Sequence, residues 1–494
     1  MEKDYQKLIV KIKSYNPNPN LELIDSAWEF AKLAHYGQRR LSGEATITHS
    51  LAVADILADW KLDSVSIVAG LLHDTIEDCG VKKEELVKEF GGDVATLVDG
   101  VTNIGKLKLR GSKDEEFVEN LRKMLLVMAK DLRVVFIRLS DRLHNMRTLQ
   151  FLPENKQKRI SRETLEVFAP LAERLGIGGL KSELEDLAFP YVYPEDYKRV
   201  IEKSKLHYKK AEEHIIKMKR NLLKKLAGEG IKTKIHTRRK TLYSLWKKLL
   251  RPEINWDFEK IHDIVALRIL VNTVENCYAS LGMVHHIFKT APHIGISDFI
   301  AKPKPNGYRS IHTKVFGPGD RLVEVQITTN EMHEENEYGL AAHWHYSLKK
   351  SGKANQQVIE RGFFAPTEKI KWVRQLVGWQ KTETDSEEFL RAVKFDALAE
   401  RIFVFSPKGD VYDLPVDATP IDYAYSVHTD LGDYLKAAKA DGKIVPLSYK
   451  LKSGQIVEIL KSKEKRSPNH DWLEFVVTTQ ARREINKYLR RVDK

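Results

Sequence analysis

Leu71-Leu72-His73-Asp74-Thr75-Ile76-Glu77-Asp78 sets a His-Asp dipeptide at the end of an apolar run, with two more acids close behind. Read as one helix, the stretch aligns His73 with Glu77 and Asp74 with Asp78, because residues four apart share a face. His49 upstream and Asp141 downstream complete a set of two imidazoles and two carboxylates. Such donors suit a borderline to hard divalent ion such as Mn²⁺ better than the sulfur-rich sets of closed zinc sites. They point to phosphate chemistry, with Glu77 and Asp78 placed to position a nucleophile or move protons. A lone His-Asp pair is more often a helix start or a surface pair, and only the four candidate ligands with two flanking acids turn the reading towards a site. The run Arg138-Leu139-Ser140-Asp141-Arg142-Leu143-His144-Asn145 puts Asp141 and Asn145 on one helical face, so a ligand and a polar substrate contact come from one element.

Outward from that stretch the pattern stays helical to about Tyr193. Apolar residues recur at three and four spacing in Leu23-Ile24-Ala27-Phe30-Ala31-Ala34 and in Leu51-Val53-Ile56-Leu57. Pro190 and Pro194 bracket a junction, and a lysine-rich amphipathic helix follows from about Asp196 to Ala227. The period then changes. Ile264 to Val271 and Leu322 to Ile327 read as buried strands with helical segments between them. A polar stretch from Ser347 to Gln357 leads into a helix-rich connector, Ile402-Phe403-Val404-Phe405 and Val411-Tyr412-Asp413-Leu414 open a small strand-rich module, and Trp472 to Arg490 reads as helix. The fold class is therefore multidomain α and α+β: an all-helical domain over 1–195, a mixed α/β domain over 196–346, a connector over 347–396, the strand-rich module over 397–462 and a helical region from 463 to 494.

At 494 residues the chain is too long for a single core. With 42% hydrophobic and 31% charged residues the composition is globular. The start lacks the basic and apolar regions of a secretory signal and no apolar run is long enough to span a bilayer, so the expected location is cytoplasmic, with no membrane partner. Cys79 and Cys277 stand far apart, which excludes a disulfide scaffold and any zinc site made of cysteines alone. A formal charge of +13 favours polyanionic partners without choosing between nucleotide and RNA.

In the middle domain, Arg238 to Lys248 puts Lys240, Ser244 and Lys248 at four-residue spacing, a cationic stripe for a triphosphate if the segment is helical; a solvated helix face is the bland alternative. Lys302-Pro303-Lys304-Pro305-Asn306-Gly307-Tyr308-Arg309-Ser310-Ile311-His312 joins a stiff basic segment to a turn and an aromatic ring. Tyr308 there can stack on a base while Lys304 and His312 meet phosphate or ribose, although the string also fits a hairpin loop. Glu324 and Gln326 leave one face of a strand whose apolar residues enter the core, where a carboxylate can bind Mg²⁺ or take a hydroxyl proton. Asp263 and Arg268 differ in parity, so both line one site only if Asp263 precedes regular alternation.

These residues resemble the long RelA/SpoT homologues, the alarmone hydrolase/synthetases of the bacterial stringent response, whose first domain belongs to the HD phosphohydrolases. The likeness is carried by Arg40-Leu41-Ser42-Gly43-Glu44, Arg142-Leu143-His144-Asn145-Met146-Arg147-Thr148 and Tyr338-Gly339-Leu340-Ala341-Ala342-His343-Trp344. It implies that His49, His73, Asp74 and Asp141 hold Mn²⁺. It also implies that Glu77 and Asp78 drive water onto the 3′-diphosphate of (p)ppGpp, and that Arg40, Asn145 and Thr148 engage the nucleotide. For the middle domain it implies a nucleotidyltransferase-like synthetase moving pyrophosphate from ATP to the 3′-hydroxyl of GDP or GTP. There Asp263 and Glu324 coordinate Mg²⁺, Glu324 activates the hydroxyl, and Arg238 and Arg268 sandwich adenine. Lys240, Ser244 and Lys248 hold ATP phosphates, Tyr308 stacks guanine, and Lys304, Asn306, His312 and Gln326 complete the substrate contacts.

Pro420-Ile421-Asp422-Tyr423-Ala424-Tyr425-Ser426-Val427-His428-Thr429 resembles the β-grasp-like TGS domain of the same family, which implies that His428 contacts deacylated tRNA. Long members continue into further modules, and this sequence stops near the start of the helical one, as a naturally short member or a piece of a longer protein, which leaves ribosome docking through those modules undecided. The chain departs from the family pattern in three places. Ser50 replaces a proline after the first ligand histidine. Gly295-Ile296-Ser297-Asp298 fits neither the basic Arg-x-Lys-Asp pattern of bifunctional members nor the acidic pattern of synthetase-only members. Thr328 stands where an arginine usually follows Gln-Ile, which removes a bidentate phosphate donor. Three readings stay open: a bifunctional enzyme, a hydrolase whose second domain only senses guanine nucleotide, or chiefly a tRNA-binding regulator, the last suggested by the net charge and the terminal module.

Overall fold

A computed structural model describes residues 1–105, 130–261, 263–290, 295–304, 306–318, 321–341, 401–464 and 468–492. They fall into two compact units, one carrying the helical and five-stranded parts and the other the terminal module. The predicted connector over 347–396 lies outside the described residues. Among the described residues, no helix is long and apolar enough to cross a membrane.

The helical part runs through α1 (Glu2–Tyr15), α2 (Leu21–Ala34), α3 (Ile47–Asp59), α4 (Ser64–Leu72), α5 (Thr75–Cys79), α6 (Lys83–Gly105), α7 (Arg133–Arg147), α8 (Glu154–Glu163), α9 (Ala169–Arg174) and α10 (Gly178–Val192). α4 is its centre. Asp63 caps it by accepting the Ser66 N–H at 2.7 Å, and Ser66 to Leu72 are all buried, as a helix apolar on every side must be. Gly70 lets α3 come close: a Cβ there would stand 2.5 Å from Leu57 Cδ1 and 3.6 Å from the Ala54 Cα. That approach brings His49 of α3 beside the end of α4.

The expected single helix through His73-Asp74 is corrected, because α4 stops at Leu72 and α5 begins at Thr75. Side chains take the last carbonyls of α4: His73 Nδ1 donates to Gly70 O at 2.9 Å and Thr75 Oγ1 to Leu72 O at 2.7 Å. Asp74 and Asp78 keep helical spacing, with Asp78 N–H donating to Asp74 O at 2.8 Å. His73 instead belongs to the end of α4.

The long helix α11 (Pro194–Gly228) packs Val200, Ile215, Met218, Leu222 and Leu226 into the core of the sheet part. The sheet contains β1 (Lys234–Arg239), β2 (Val265–Val271), β3 (Ser297–Asp298), β4 (Ile311–Phe316) and β5 (Leu322–Thr329), in the order β1-β2-β5-β4-β3. Only β2 and β5 are parallel; every residue of β2 is buried, as expected of a strand covered on both faces. Helices α12 (Leu242–Leu249), α13 (Val274–Ile287) and α14 (Asn330–Tyr338) complete this part. α14 ends at Gly339 (φ +57°), where a Cβ would stand 2.1 Å from Leu175 O of the helical part. Leu340 N–H donates to that carbonyl at 3.0 Å, and Lys61 Nζ pairs with Glu334 Oε2 at 3.0 Å.

In the second unit β6 (Arg401–Phe405) and β7 (Val411–Pro415) form a hairpin. It is followed by α15 (Pro420–Val427), α16 (Thr429–Asp433) and the strands β8 (Leu435–Ala440), β9 (Lys443–Val445) and β10 (Val457–Lys461), a β-grasp arrangement. The helix expected from Trp472 is split into α17 (Trp472–Phe475) and α18 (Thr479–Val492). The buried Asp422 carboxylate accepts the N–H groups of Val477 and Thr478, drawing them out of a helical ladder.

Candidate functional site

The crossing of α3, α4 and α7 gathers the four expected ligands. His49 Nε2 lies 3.3 Å from Asp141 Oδ1 and 3.6 Å from Asp74 Oδ2, and His73 Nε2 lies 3.1 Å from Asp74 Oδ2 and 4.0 Å from Asp141 Oδ1. Ligand atoms of His49, His73 and Asp141 all stand within 4.8 Å of one another. Both rings are 1% exposed. Because His73 Nδ1 is committed to Gly70 O, its Nε2 is the ring atom turned to the carboxylates, 3.1 Å from Asp74 Oδ2, and in the neutral ring it is the one that offers a lone pair. Two imidazoles and two carboxylates whose ligand atoms converge in this way fit a divalent cation.

The electrostatics agree. Burial opposes ionisation of Asp141, but His49, His73 and Arg138 outweigh it and hold the carboxyl far below the usual carboxylate range. Burial likewise opposes charge on His73, yet Asp74 and Asp141 lift it to about 9. His49 moves down through burial. Two carboxylates held ionised thus face two imidazole nitrogens, and a cation can take the place of the ring protons between them. Asp78, exposed on α5, is raised by desolvation and by the neighbouring Asp74 charge. Glu77 is exposed on α5.

The expected nucleotide contacts sit beside this cluster. Arg40 Nη2 donates to Asn145 Oδ1 at 2.7 Å, and Asn145 Nδ2 donates to Asp141 Oδ1 at 2.5 Å. Thr148 donates to His144 O at 3.0 Å at the end of α7. Sequence reading passed over His144, whose Nδ1 stands 2.8 Å from His49 Nδ1. Its position three residues after Asp141 on the same face was the available signal.

In the sheet part, the register lays His236, Arg268, Gln326, His312 and Ser297 in one row across all five strands. Glu324, two residues before Gln326, shares that face. Its carboxylate lies 3.3 Å from His312 Nδ1 and accepts Gln326 Nε2 at 2.9 Å; these contacts overcome burial and take it down to about 2. Tyr308 and His312 are joined at 2.8 Å, and Lys304 Nζ sits 4.7 Å from the Phe299 ring and 5.1 Å from that of Tyr308. Asn306 Oδ1 accepts the Tyr308 N–H at 3.2 Å and so shapes the turn.

Asp263 precedes β2, as the parity argument requires, and accepts Lys240 Nζ at 3.0 Å and Lys248 Nζ at 2.6 Å. The two lysines hold Asp263 well below the ordinary range against burial. The helical stripe is corrected: Arg238 lies on β1 and Lys240 just beyond it, while Ser244 and Lys248 ride on α12. Thr241 stands before α12 and donates to Ser244 Oγ at 3.0 Å, while Asp186 accepts the N–H groups of Leu242 and Tyr243 at 3.3 and 2.9 Å. Arg268 points to Glu337 (2.6 Å), His333 (3.1 Å) and Gln326 (3.3 Å). Arg238 is exposed. Thr328 is 2% exposed and donates to Arg309 O at 3.2 Å. In the second unit His428 is exposed at the start of α16, its Nδ1 accepting the Asp430 N–H at 3.2 Å.

Residues 27–178 match the HD domain, 237–351 the region found in RelA / SpoT proteins, and 402–461 the TGS domain. The chain is 47% identical over 97% of its length to a GTP pyrophosphokinase of Myxococcus xanthus, covering 62% of that protein. It is 41% identical over 98% of its length to the bifunctional (p)ppGpp synthase/hydrolase RelA of Mycobacterium tuberculosis, covering 64% of it. It is also 43% identical over its whole length to the guanosine-3′,5′-bis(diphosphate) 3′-pyrophosphohydrolase of Aquifex aeolicus, covering 68% of that protein. The chain thus spans about three fifths to two thirds of the length of these relatives. With all three domains matched in order and identity above two fifths along the whole sequence, the chain belongs to the RelA/SpoT family.

Proposed function

We propose that the chain hydrolyses (p)ppGpp to GDP or GTP and pyrophosphate at the helical site and transfers pyrophosphate from ATP to the 3′-hydroxyl of GDP or GTP at the sheet site. The observation that carries this reading is the convergence of His49, His73, Asp74 and Asp141, with Arg40 and Asn145 hydrogen-bonded at its edge. Those four residues would hold Mn²⁺, which when bound supplies Lewis-acid activation of water and of a phosphoryl oxygen. Asp78, with Glu77 beside it, takes the proton as the water oxygen bonds to phosphorus, and that proton passes to the ribose 3′ oxygen as its bond to phosphorus breaks, leaving the 3′-hydroxyl and pyrophosphate. Arg40, Asn145 and Thr148 orient the nucleotide.

At the second site Glu324 takes the 3′-hydroxyl proton as that oxygen attacks the β-phosphorus of ATP and AMP leaves. Asp263 and Glu324 would hold Mg²⁺, and Lys240, Ser244 and Lys248 face the ATP phosphates. Arg238 and Arg268 flank adenine, and Tyr308 stacks on guanine with Lys304, Asn306, His312 and Gln326 around it. Deacylated tRNA is the partner we assign to His428, and the cytoplasm is the compartment.

The rival sensor reading draws on Ser297, which leaves an uncharged side chain at the end of the polar row. Purified Asp74→Ala protein given ATP, GDP and Mg²⁺ is expected to make ppGpp; no product would leave a hydrolase with a sensing domain. Wild type given ppGpp and Mn²⁺ is expected to release pyrophosphate, and intact ppGpp would overturn the hydrolase.

A further inference from the structure

We propose that His144 is the positioning residue of the metal centre: its Nδ1 accepts the Nδ1 proton of His49 and so presents His49 Nε2 to the ion as a lone pair. The inference rests on the reading of His49, His73, Asp74 and Asp141 as a divalent-metal site.

A neutral imidazole carries one ring proton. His49 Nε2 points at the two carboxylates, 3.3 Å from Asp141 and 3.6 Å from Asp74, while its Nδ1 stands 2.8 Å from His144 Nδ1. Two nitrogens at that distance share one hydrogen, so the pair has two arrangements. In one, His144 donates to His49 Nδ1, and His49 Nε2–H donates to a carboxylate. In the other, His49 donates to His144, and Nε2 is left as a donor to metal. Only the second is compatible with a cation among the carboxylates. Metal loading therefore moves the His49 proton from Nε2 to Nδ1 and requires His144 to be the acceptor, with its own proton on Nε2.

The neighbouring ligand shows what is unusual. His73 Nδ1 donates to the carbonyl of Gly70, an acceptor that never donates, so its tautomer is fixed by the backbone. His49 has no such carbonyl on its Nδ1 among the contacts of the described residues; it has a ring that can reverse roles. The rings of His49 and His144 lie 4.8 Å apart. His144 reaches this position because α7 carries Asp141, His144 and Asn145 on one face, delivering ligand, positioning group and substrate contact together. Partners of this kind typically change metal affinity about 10- to 100-fold.

The test uses the whole chain and Mn²⁺ calorimetry on wild type, His144→Leu and His144→Asn. Leucine removes the acceptor, while asparagine keeps an oxygen near the Nδ1 position. We expect His144→Leu to bind Mn²⁺ about 10- to 100-fold more weakly and His144→Asn to stay within about threefold of wild type. Nitrogen NMR of histidine-labelled wild type loaded with Zn²⁺ is expected to show the His49 proton on Nδ1. Failure of wild type to bind any divalent ion overturns the metal reading and this proposal with it. Unchanged binding by His144→Leu, equal damage in both variants, or a His49 proton on Nε2 in the loaded protein overturns this proposal alone.

Discussion

The two sites of the first unit treat buried carboxylates in opposite ways. At the helical site Asp74 and Asp141 face imidazoles, with one arginine, Arg138, at the margin of Asp141 (3.4 Å). At the sheet site Asp263 is held by two lysines, and Glu324 is matched by His312. The first arrangement balances its carboxylates with imidazole protons, which a cation can displace, and one guanidinium. The second carries its own cations, which a polyphosphate must draw away before a metal ion can replace them. On the function proposed above, the helical site takes an ion directly and the sheet site an ion that arrives with an anionic nucleotide.

The strongest way to break this contrast is Asp74→Ala. Hydrolysis is expected to fall about 10⁴-fold or more as the metal and its several kcal/mol of transition-state stabilisation go, with pyrophosphate transfer changed less than about twofold. Parallel losses in a coupled assay of both activities would show that the sites are not separate. Glu324→Gln should do the reverse, lowering transfer roughly 10²- to 10⁴-fold by loss of proton acceptance while sparing hydrolysis.

Thermal melts sharpen the comparison. Mn²⁺ at a hundred times its Kd should stabilise the wild type by about 2.7 kcal/mol, and Asp74→Ala should abolish that shift. Mg²⁺ without nucleotide should give a smaller shift attributable to Asp263, one that grows when ATP is added. Ser297→Arg adds a cation to the end of the polar row and should raise transfer about tenfold, a single charge-assisted contact of about 1.5 kcal/mol; steady-state kinetics with ATP and GDP would show it.

The mildest probe is the pair of thiols. Burial pushes Cys277, in the core of the sheet part, up to about 12, so at pH 8 only about one molecule in ten thousand carries the thiolate. Raising the pH from 7 to 9 in the folded protein should therefore leave Cys277 essentially unlabelled by iodoacetamide. Cys79, partly exposed beside His35 at 3.3 Å, should label slowly and be protected by ppGpp. Mass spectrometry of the labelled peptides separates the two.

Much of this was legible in the sequence. The alternation of Val323, Val325 and Ile327 with Glu324 and Gln326 placed both polar groups on one strand face, and β5 bears it out. The parity of Asp263 against Arg268 required Asp263 to sit before the strand, where it is found. Three helical readings failed for one reason. At His73-Asp74, at Leu242-Tyr243, whose N–H groups Asp186 accepts, and at Val477-Thr478, side chains or a distant carboxylate take backbone groups that periodicity assigns to a continuous helix. Apolar spacing reports burial of a face and carries no information about who takes a carbonyl or an N–H.

The sequence by itself determined the donor chemistry: which residues can bind a hard cation, which carry charge for polyphosphate, and that helix gives way to sheet and then to a small β module. Only the tertiary structure decided who meets whom. The tight crossing at Gly70 sets His49 against the end of α4, the strand register aligns Arg268, Gln326, His312 and Ser297, and α7 turns His144 towards His49. Periodicity fixes positions within one element, whereas distances between elements follow from packing.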